Sequence, residues 1–159
     1  VTKNFSEQGI LVHAYLMYGF PTETEQETID SLEVVRQLFL QGCINSGFWH
    51  RFVATIHSPV GKNSKKFGIS LLPPSEPTEG VFAKNAIPFI DPTPTDHAAL
   101  GIGLKKAVYN FMHGIGLNEP LQFWFDNRIV KPSVKRNFVL KSLKGPPSPA
   151  NASTHVAHT

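Results

Sequence analysis

Residues 10–56 carry a pattern that leaves few folds open: an apolar run, a capped helix and a second apolar run, in that order. Residues 10–18 (ILVHAYLMY) are rich in β-branched, aromatic and other apolar side chains and lack Pro and Gly, which reads as a mostly buried strand. Gly19, Phe20 and Pro21 break it. Thr22 and Thr24 are both N-cap candidates for the helix that follows, because each has a glutamate three residues on, Glu25 and Glu27, for a capping box. Glu23, Glu25 and Glu27 also lie where the positive end of a helix dipole favours anions. Ile29, Leu32, Val35 or Arg36, then Leu38 and Phe39, give an apolar stripe with one buried face, and Gly42 is placed to end the helix. Residues 48–56 (FWHRFVATI) read as the second strand, ended by His57, Ser58 and Pro59.

Strand, helix and strand of these lengths form a βαβ unit, so the two strands are expected to be parallel with a right-handed crossover. In parallel α/β architectures ligands sit at the carboxyl ends of the strands. Those ends are residues 18–23 (YGFPTE) and 57–61 (HSPVG). Two parallel strands alone leave edges unpaired and one sheet face bare, whereas parallel sheets are normally covered on both faces. The unit needs more strands than the rest of the chain offers. They are expected before Val1, which makes the chain the C-terminal part of a larger α/β domain.

The flanking segments are simpler. Residues 1–9 read as the end of a preceding helix or loop, with Gly9 as terminator. Residues 61–80 are polar and turn-rich, and residues 81–90 suit a short extended segment that Pro88 confines to an edge. The turn DPTPTD (91–96) ends in the candidate caps Thr95 and Asp96, and Leu100, Leu104, Val108 and Phe111 place a helix over 97–113. Gly101 and Gly103 inside it cost about 1 kcal/mol each relative to Ala, and point to close packing or a kink. Residues 121–125 are aromatic-rich and expected to pack locally. Residues 129–143 alternate basic and apolar side chains, and the tail from Lys144 is expected to be disordered.

Composition narrows the partners. Fifteen Lys and Arg against twelve Asp and Glu give a net charge of only +3, a solvated surface rather than a nucleic-acid footprint. The single cysteine, Cys43, excludes a disulfide and a Cys-based zinc or iron–sulfur site within this chain, and fits a reducing, cytoplasmic compartment. No apolar run approaches the ~20 residues needed to span a bilayer, so no membrane partner is expected.

The sharpest motif is residues 19–24, GFPTET. Gly19 lets a ligand approach the backbone at a strand end, Pro21 stiffens the turn, and the amides of the helix start can receive an anion or be capped internally. The stretch resembles the fifth-strand segment of radical S-adenosylmethionine enzymes, many of which carry a Gly-Phe-Pro-Gly-Glu-Thr-like turn before an acidic helix start. Residues 13–28, and residues 48–61 with their HRF…T.HSP pattern, are similar to the members that carry an N-terminal cobalamin-binding domain. So are residues 82–96 (FAKNAIPFIDPTPTD) and 103–116 (GLKKAVYNFMHGIG). The likeness runs from about residue 5 to about residue 130. It departs from the looser family pattern G-x-I-x-G-x-x-E, where this chain has Tyr15, Met17, Gly19 and Thr22, so that only Gly19 matches in register.

The resemblance implies the C-terminal part of a TIM-like parallel β/α barrel followed by a mostly helical or irregular extension. Residues 1–61 would be barrel, 62–143 the extension packed on it, and 144–159 a disordered tail. It implies S-adenosylmethionine and a 4Fe-4S cluster as cofactors of the full-length protein, with cobalamin as a further cofactor of the subgroup. The activity would be 5′-deoxyadenosyl-radical chemistry on a small-molecule or macromolecular substrate. Tyr18, Gly19, Phe20 and Pro21, with Ile56, His57 and Ser58, would form one wall of the S-adenosylmethionine pocket. The family's C-x-x-x-C-x-x-C cluster triad is absent here. It would belong to an N-terminal part of the same polypeptide, the chief partner, without which the chain is expected to be inactive.

The histidines lack metal-ligand spacing such as H-E-x-x-H; His57, beside Ser58, is the one placed to touch adenine or substrate. Ser58 lacks the G-x-S-x-G elbow of hydrolases, and Gly61-Lys62 lacks the phosphate-loop pattern. Tyr15, Tyr18, Phe48 and Trp49 read as packing residues. The competing reading is a non-catalytic α/β interaction or scaffold domain in which GFPTET is only a turn and cap.

Overall fold

The computed structural model describes residues 1–73 and 85–145. They form a mixed α/β fold built on the expected βαβ unit. A short α1 (Thr2–Glu7) leads through Gly9, at φ +78°, into β1 (His13–Tyr18), α2 (Glu25–Leu40) and β2 (Ser46–Arg51). β1 and β2 pair in parallel, in register from His13 opposite Ser46 to Tyr18 opposite Arg51. The sheet stops at two strands; among the described residues no further strand joins it, and no barrel forms.

Both strands are shorter than their apolar runs. Among the described residues no strand pairs with residues 10–12, and Val12 instead donates its N–H to Asn45 Oδ1 at 2.8 Å. β2 ends at Arg51 rather than Ile56 because β1 runs out at Tyr18, where Gly19 turns away at φ +72°. Beyond Phe52, whose N–H reaches Tyr18 O at 2.8 Å, the chain takes a new antiparallel partner. Ile87 N donates to Ala54 O and Ile56 N to Asn85 O, around a bridge between Thr55 and Ala86. Ile56 therefore belongs to this second pairing, and His57 and Ser58 form a turn beyond it rather than the end of a parallel strand.

Of the two candidate caps, Thr24 starts α2: its hydroxyl accepts the Glu27 N–H at 3.3 Å while Glu27 accepts the Thr24 N–H at 2.8 Å. Gly42, at φ +62°, closes the helix. α2 buries more than the one face its apolar stripe indicates. Ile29, Leu32, Val35 and Phe39 enter the main core, but Glu33, Arg36 and Gln37 are buried too.

α3 (Pro59–Lys62), β3 (Ser70–Leu71) and β4 (Phe89–Ile90) surround a small second core of Ala54, Val60 and Ile69. β3 and β4 pair antiparallel, and Leu72 N donates to the carbonyl of Pro88 at 2.8 Å. α4 (His97–Met112) is capped by Asp96, not Thr95, through the Ala98 and Ala99 amides at 3.1 and 3.0 Å. It packs on β2 and α2. Its two inner glycines serve close packing: a Cβ at Gly101 would overlap the Tyr18 hydroxyl, and one at Gly103 the Phe125 ring. Leu121, Trp124 and Phe125 join the main core instead of packing locally. The chain then runs back along α2 to α5 (Phe138–Lys144). The tail beyond residue 145 and the first part of the expected extended segment, residues 81–84, lie outside the described residues.

The strand alternation sorts side chains onto two unlike faces. Tyr18 and Trp49 point into the core shared with α2 and α4. On the opposite face His13, Tyr15, Met17, Phe48 and His50 are exposed, with Tyr15 at 79% and Met17 at 57%. They contact one another: Tyr15 stacks on His50 at 5.2 Å and 6°, flanked by His13 at 5.3 Å and Phe48 at 4.6 Å from its neighbour. No helix among the described residues is long and apolar enough to cross a membrane.

Candidate functional site at the carboxyl ends of the strands

The turn after β1 is determined by four consecutive residues. Glu23 N donates to Phe20 O at 2.9 Å, Pro21 holds the second position, and Thr22 takes the third at φ +69°. This is the signature of a type II turn, whose third position ordinarily calls for glycine. Thr22 is the only non-glycine residue at positive φ among the described residues. For a β-branched side chain that backbone is an outlier, which persists only where the surroundings fix it. Here Thr22 N donates to Asp91 Oδ2 at 2.9 Å, and Glu23 braces the turn from beneath. Its carboxylate accepts the Phe20 N–H at 3.0 Å and the Thr28 hydroxyl at 2.7 Å, while its carbonyl accepts the Thr95 hydroxyl at 3.2 Å.

Gly19 opens onto a cleft of about 570 Å³ lined by Arg51, Phe52, Val53, Ile87, Phe89, Asp91, Thr93 and His97 among others. A Cβ on Gly19 would lie 3.4 Å from His97 Cγ and 3.6 Å from Arg51 Cγ, so both side chains border the space that glycine leaves. His97 is 7% exposed, and neither ring nitrogen has a hydrogen-bond partner among the described residues. A buried polar group in that state costs about 1–3 kcal/mol. Trp49 and Trp124 also bury an unpartnered indole N–H, but on the core side of the sheet.

Asp91 is committed to the loop. Burial pushes its carboxyl up, but the hydrogen bonds from Thr93 and from Thr22 N, helped by His97 nearby, outweigh that and hold it below the ordinary aspartate range. Arg51 is exposed and forms no ion pair or hydrogen bond among the described residues, which leaves its full guanidinium fork unused.

Of the seven residues expected to form a pocket wall, only Gly19 lines this cleft. Tyr18 is 4% exposed, its ring wedged between Trp49 and the backbone at Gly101, and Pro21 is buried. Phe20 packs against Phe52 and Phe67. His57 is exposed, Ile56 is 45% exposed, and Ser58 caps α3 by accepting the Gly61 N–H at 3.0 Å. Arg51, Asp91 and His97 line the cleft as well, and the sequence held one signal for two of them: the DPTPTD turn, which delivers Asp91 and His97 to the strand ends.

A larger cleft, about 910 Å³, lies between α2 and residues 119–136. Its buried carboxylate, Glu33, is fully engaged by Arg36 at 2.6 and 2.9 Å and by Gln37 at 2.8 Å, while Arg128, Lys131 and Arg136 also line it. Among the described residues no three His, Cys, Asp or Glu side chains are grouped to hold a metal, and Cys43 is buried, its thiol pushed up by that burial. No family model, no curated protein and no solved structure matches the chain.

Proposed function

We propose that this chain is part of a radical S-adenosylmethionine enzyme and contributes one side of the S-adenosylmethionine pocket at the carboxyl ends of β1 and β2. The observation that carries the reading is the backbone at Thr22. The family turn has glycine at that position, and this chain keeps the left-handed conformation, at φ +69°, with threonine in its place. A turn whose geometry suits a residue it no longer contains supports common descent of the loop more than the letters GFPTET alone do.

The one-sided sheet supports it as well. Among the described residues the main core lies on one face, and the other exposes a row of aromatic and imidazole side chains, as a segment cut from a parallel barrel would. In this reading His13, Tyr15, Met17, Phe48 and His50 face the lumen, and an N-terminal part of the same polypeptide covers them. The cluster does not fit this chain, which lacks its ligands. In this reading S-adenosylmethionine lies in the cleft that Gly19 borders, with no Cβ on that residue to narrow it. When bound with the cluster, that cofactor supplies the 5′-deoxyadenosyl-radical chemistry. The residues here position it and exclude water.

A second reading, a non-catalytic α/β interaction domain, draws on the capping box. Thr24 and Glu27 satisfy the helix start, and Glu23 takes the Phe20 amide, so those donors are not offered to an anion. Anaerobic reconstitution with iron and sulfide separates the two. The chain joined to a cysteine-triad segment should assemble a 4Fe-4S cluster and release 5′-deoxyadenosine on reduction, while the 159-residue chain alone should assemble none. Failure of the joined protein to cleave S-adenosylmethionine would favour the interaction domain.

A further inference from the structure

We propose that the surface of residues 128–144 binds single-stranded nucleic acid, with phosphates on its unpaired cations and bases in the two hollows that those cations border. The inference goes beyond the pocket at the strand ends and does not depend on it.

The net charge of +3 hides how the cations are distributed. Arg128, Lys131, Lys135, Arg136, Lys141 and Lys144 crowd into one segment, and no Asp or Glu follows Asp126, so the chain before them is more acidic than basic. All six are exposed, and none forms an ion pair among the described residues, where the two ion pairs are Lys3 with Glu7 and Arg36 with Glu33. The carboxylates of α2 that meet the segment bind its backbone instead. Glu25 accepts Val130 N, Asp30 accepts Ser133 N and Val134 N, and Glu33 is held by Arg36. Glu25 and Glu119 also border the large cleft and temper its charge. The attraction therefore lies in the extended row of cations, which suits a polyanion rather than one small anion.

Hollows interrupt the row. Arg128, Lys131 and Arg136 border the cleft of about 910 Å³, whose other walls include Leu121, Ile129 and Pro132. Lys135 and Lys141 border a second hollow of about 430 Å³ beside Phe138. Phe138 is 51% exposed, a ring on which a base can stack. Cations alternating with apolar hollows match a chain in which phosphates alternate with planar bases. A bilayer surface can meet the cations but cannot enter the hollows, and a run of acidic side chains would leave their apolar walls unfilled.

The probes are fluorescein-labelled oligouridylate and oligothymidylate of about twelve nucleotides, titrated with the 159-residue chain and followed by anisotropy between about 50 and 200 mM salt. At least one should bind saturably. About four phosphate contacts should weaken that binding roughly 50-fold across this range, at a slope of about −0.7 per contact. Arg136→Gln with Lys141→Gln, both at exposed positions, should weaken binding at least about tenfold and flatten the slope by about 1.4. Lys65→Gln with Lys66→Gln removes the same charge from an exposed turn outside the segment and should change binding less than about twofold. A duplex of the same length, whose bases are stacked away, should bind more weakly than the single strand. Failure of both oligonucleotides to bind, or a Lys65 and Lys66 variant weakened as much as the Arg136 and Lys141 one, would overturn the proposal. So would tighter binding of the duplex, of polyglutamate or of phosphatidylserine vesicles.

Discussion

Single atoms decide the fit around Gly19, Thr22 and Gly101. Placing threonine in the left-handed region costs about 1–2 kcal/mol, and replacing it by glycine gives back about 0.5–1 kcal/mol of that through the looser unfolded chain. Thr22→Gly should therefore raise stability slightly, by about 0.5 kcal/mol in urea unfolding, and a clear loss would contradict the strained turn. Gly101 faces the opposite balance. Alanine gains about 1 kcal/mol of helix propensity, but its Cβ would overlap the Tyr18 hydroxyl within a packed core, where overpacking costs about 1–3 kcal/mol. Gly101→Ala should lower the midpoint of unfolding. An unchanged or raised midpoint would mean that Tyr18 can move aside. The sequence marked Gly101 and Gly103 as costly for a helix and so pointed to close packing or a kink, but not to which rings they admit. That depends on Tyr18 and Phe125, far away in the chain.

At the scale of elements, α2 is the axis on which the C-terminal segment is hung. Its polar side chains hold that segment by the backbone: Glu25 accepts Val130 N at 2.8 Å, Gln37 accepts Val139 N at 3.0 Å, and Gln37 donates to Lys135 O at 2.9 Å. Asp30 accepts the amide and the hydroxyl of Ser133 at 2.6 and 2.5 Å. Partial burial pushes the Asp30 carboxyl up, but the Ser133 bonds and those from Val134 and Gln26 outweigh it and leave it below the ordinary 3.8. A depressed folded value means stability that is present above the unfolded value and lost as the pH falls through the folded one. Asp30, Asp91 and Glu27, whose carboxylate is held by Thr24, all act in this direction. Stability should fall progressively below about pH 4, and Asp30→Asn should remove about 1 kcal/mol at pH 7 while flattening that acid limb. An unchanged limb would show that the segment is held by packing alone. The order strand, capped helix, strand and late helix was legible because each is a local pattern of periodicity and caps. The second buried face of α2 was not, because Glu33 and Gln37 look like solvent residues until residues 117–139 cover them.

Over the whole molecule, the imbalance between two sheet faces is the main fact. Main-core residues fill one side, while Tyr15, Met17 and Phe48 stand 79, 57 and 48% exposed on the other, beside strand edges that pair with nothing among the described residues. Such a surface promotes association. Tyr15→Lys with Phe48→Lys should reduce self-association of the isolated chain in sedimentation, without loss of helix by circular dichroism. A wild-type chain that stays monomeric at high concentration would show that the face needs no cover. The bare face followed from counting strands in the sequence. The composition of the cleft did not, because Ile56, His57 and Ser58 were assigned to a parallel strand end. The register of β1 and β2 ends that strand at Arg51 instead. Of the residues expected in a pocket wall, Gly19 lines the cleft at the strand ends, beside Arg51, Asp91 and His97.

The most direct measurement of the central claim is the coding sequence upstream of Val1. Membership of a radical S-adenosylmethionine barrel predicts an in-frame C-x-x-x-C-x-x-C about 100–150 residues before Gly19, the length of four strand–helix units. A start codon shortly before Val1, with no cysteine triad upstream, would contradict it and leave a binding domain whose bare sheet face meets another chain.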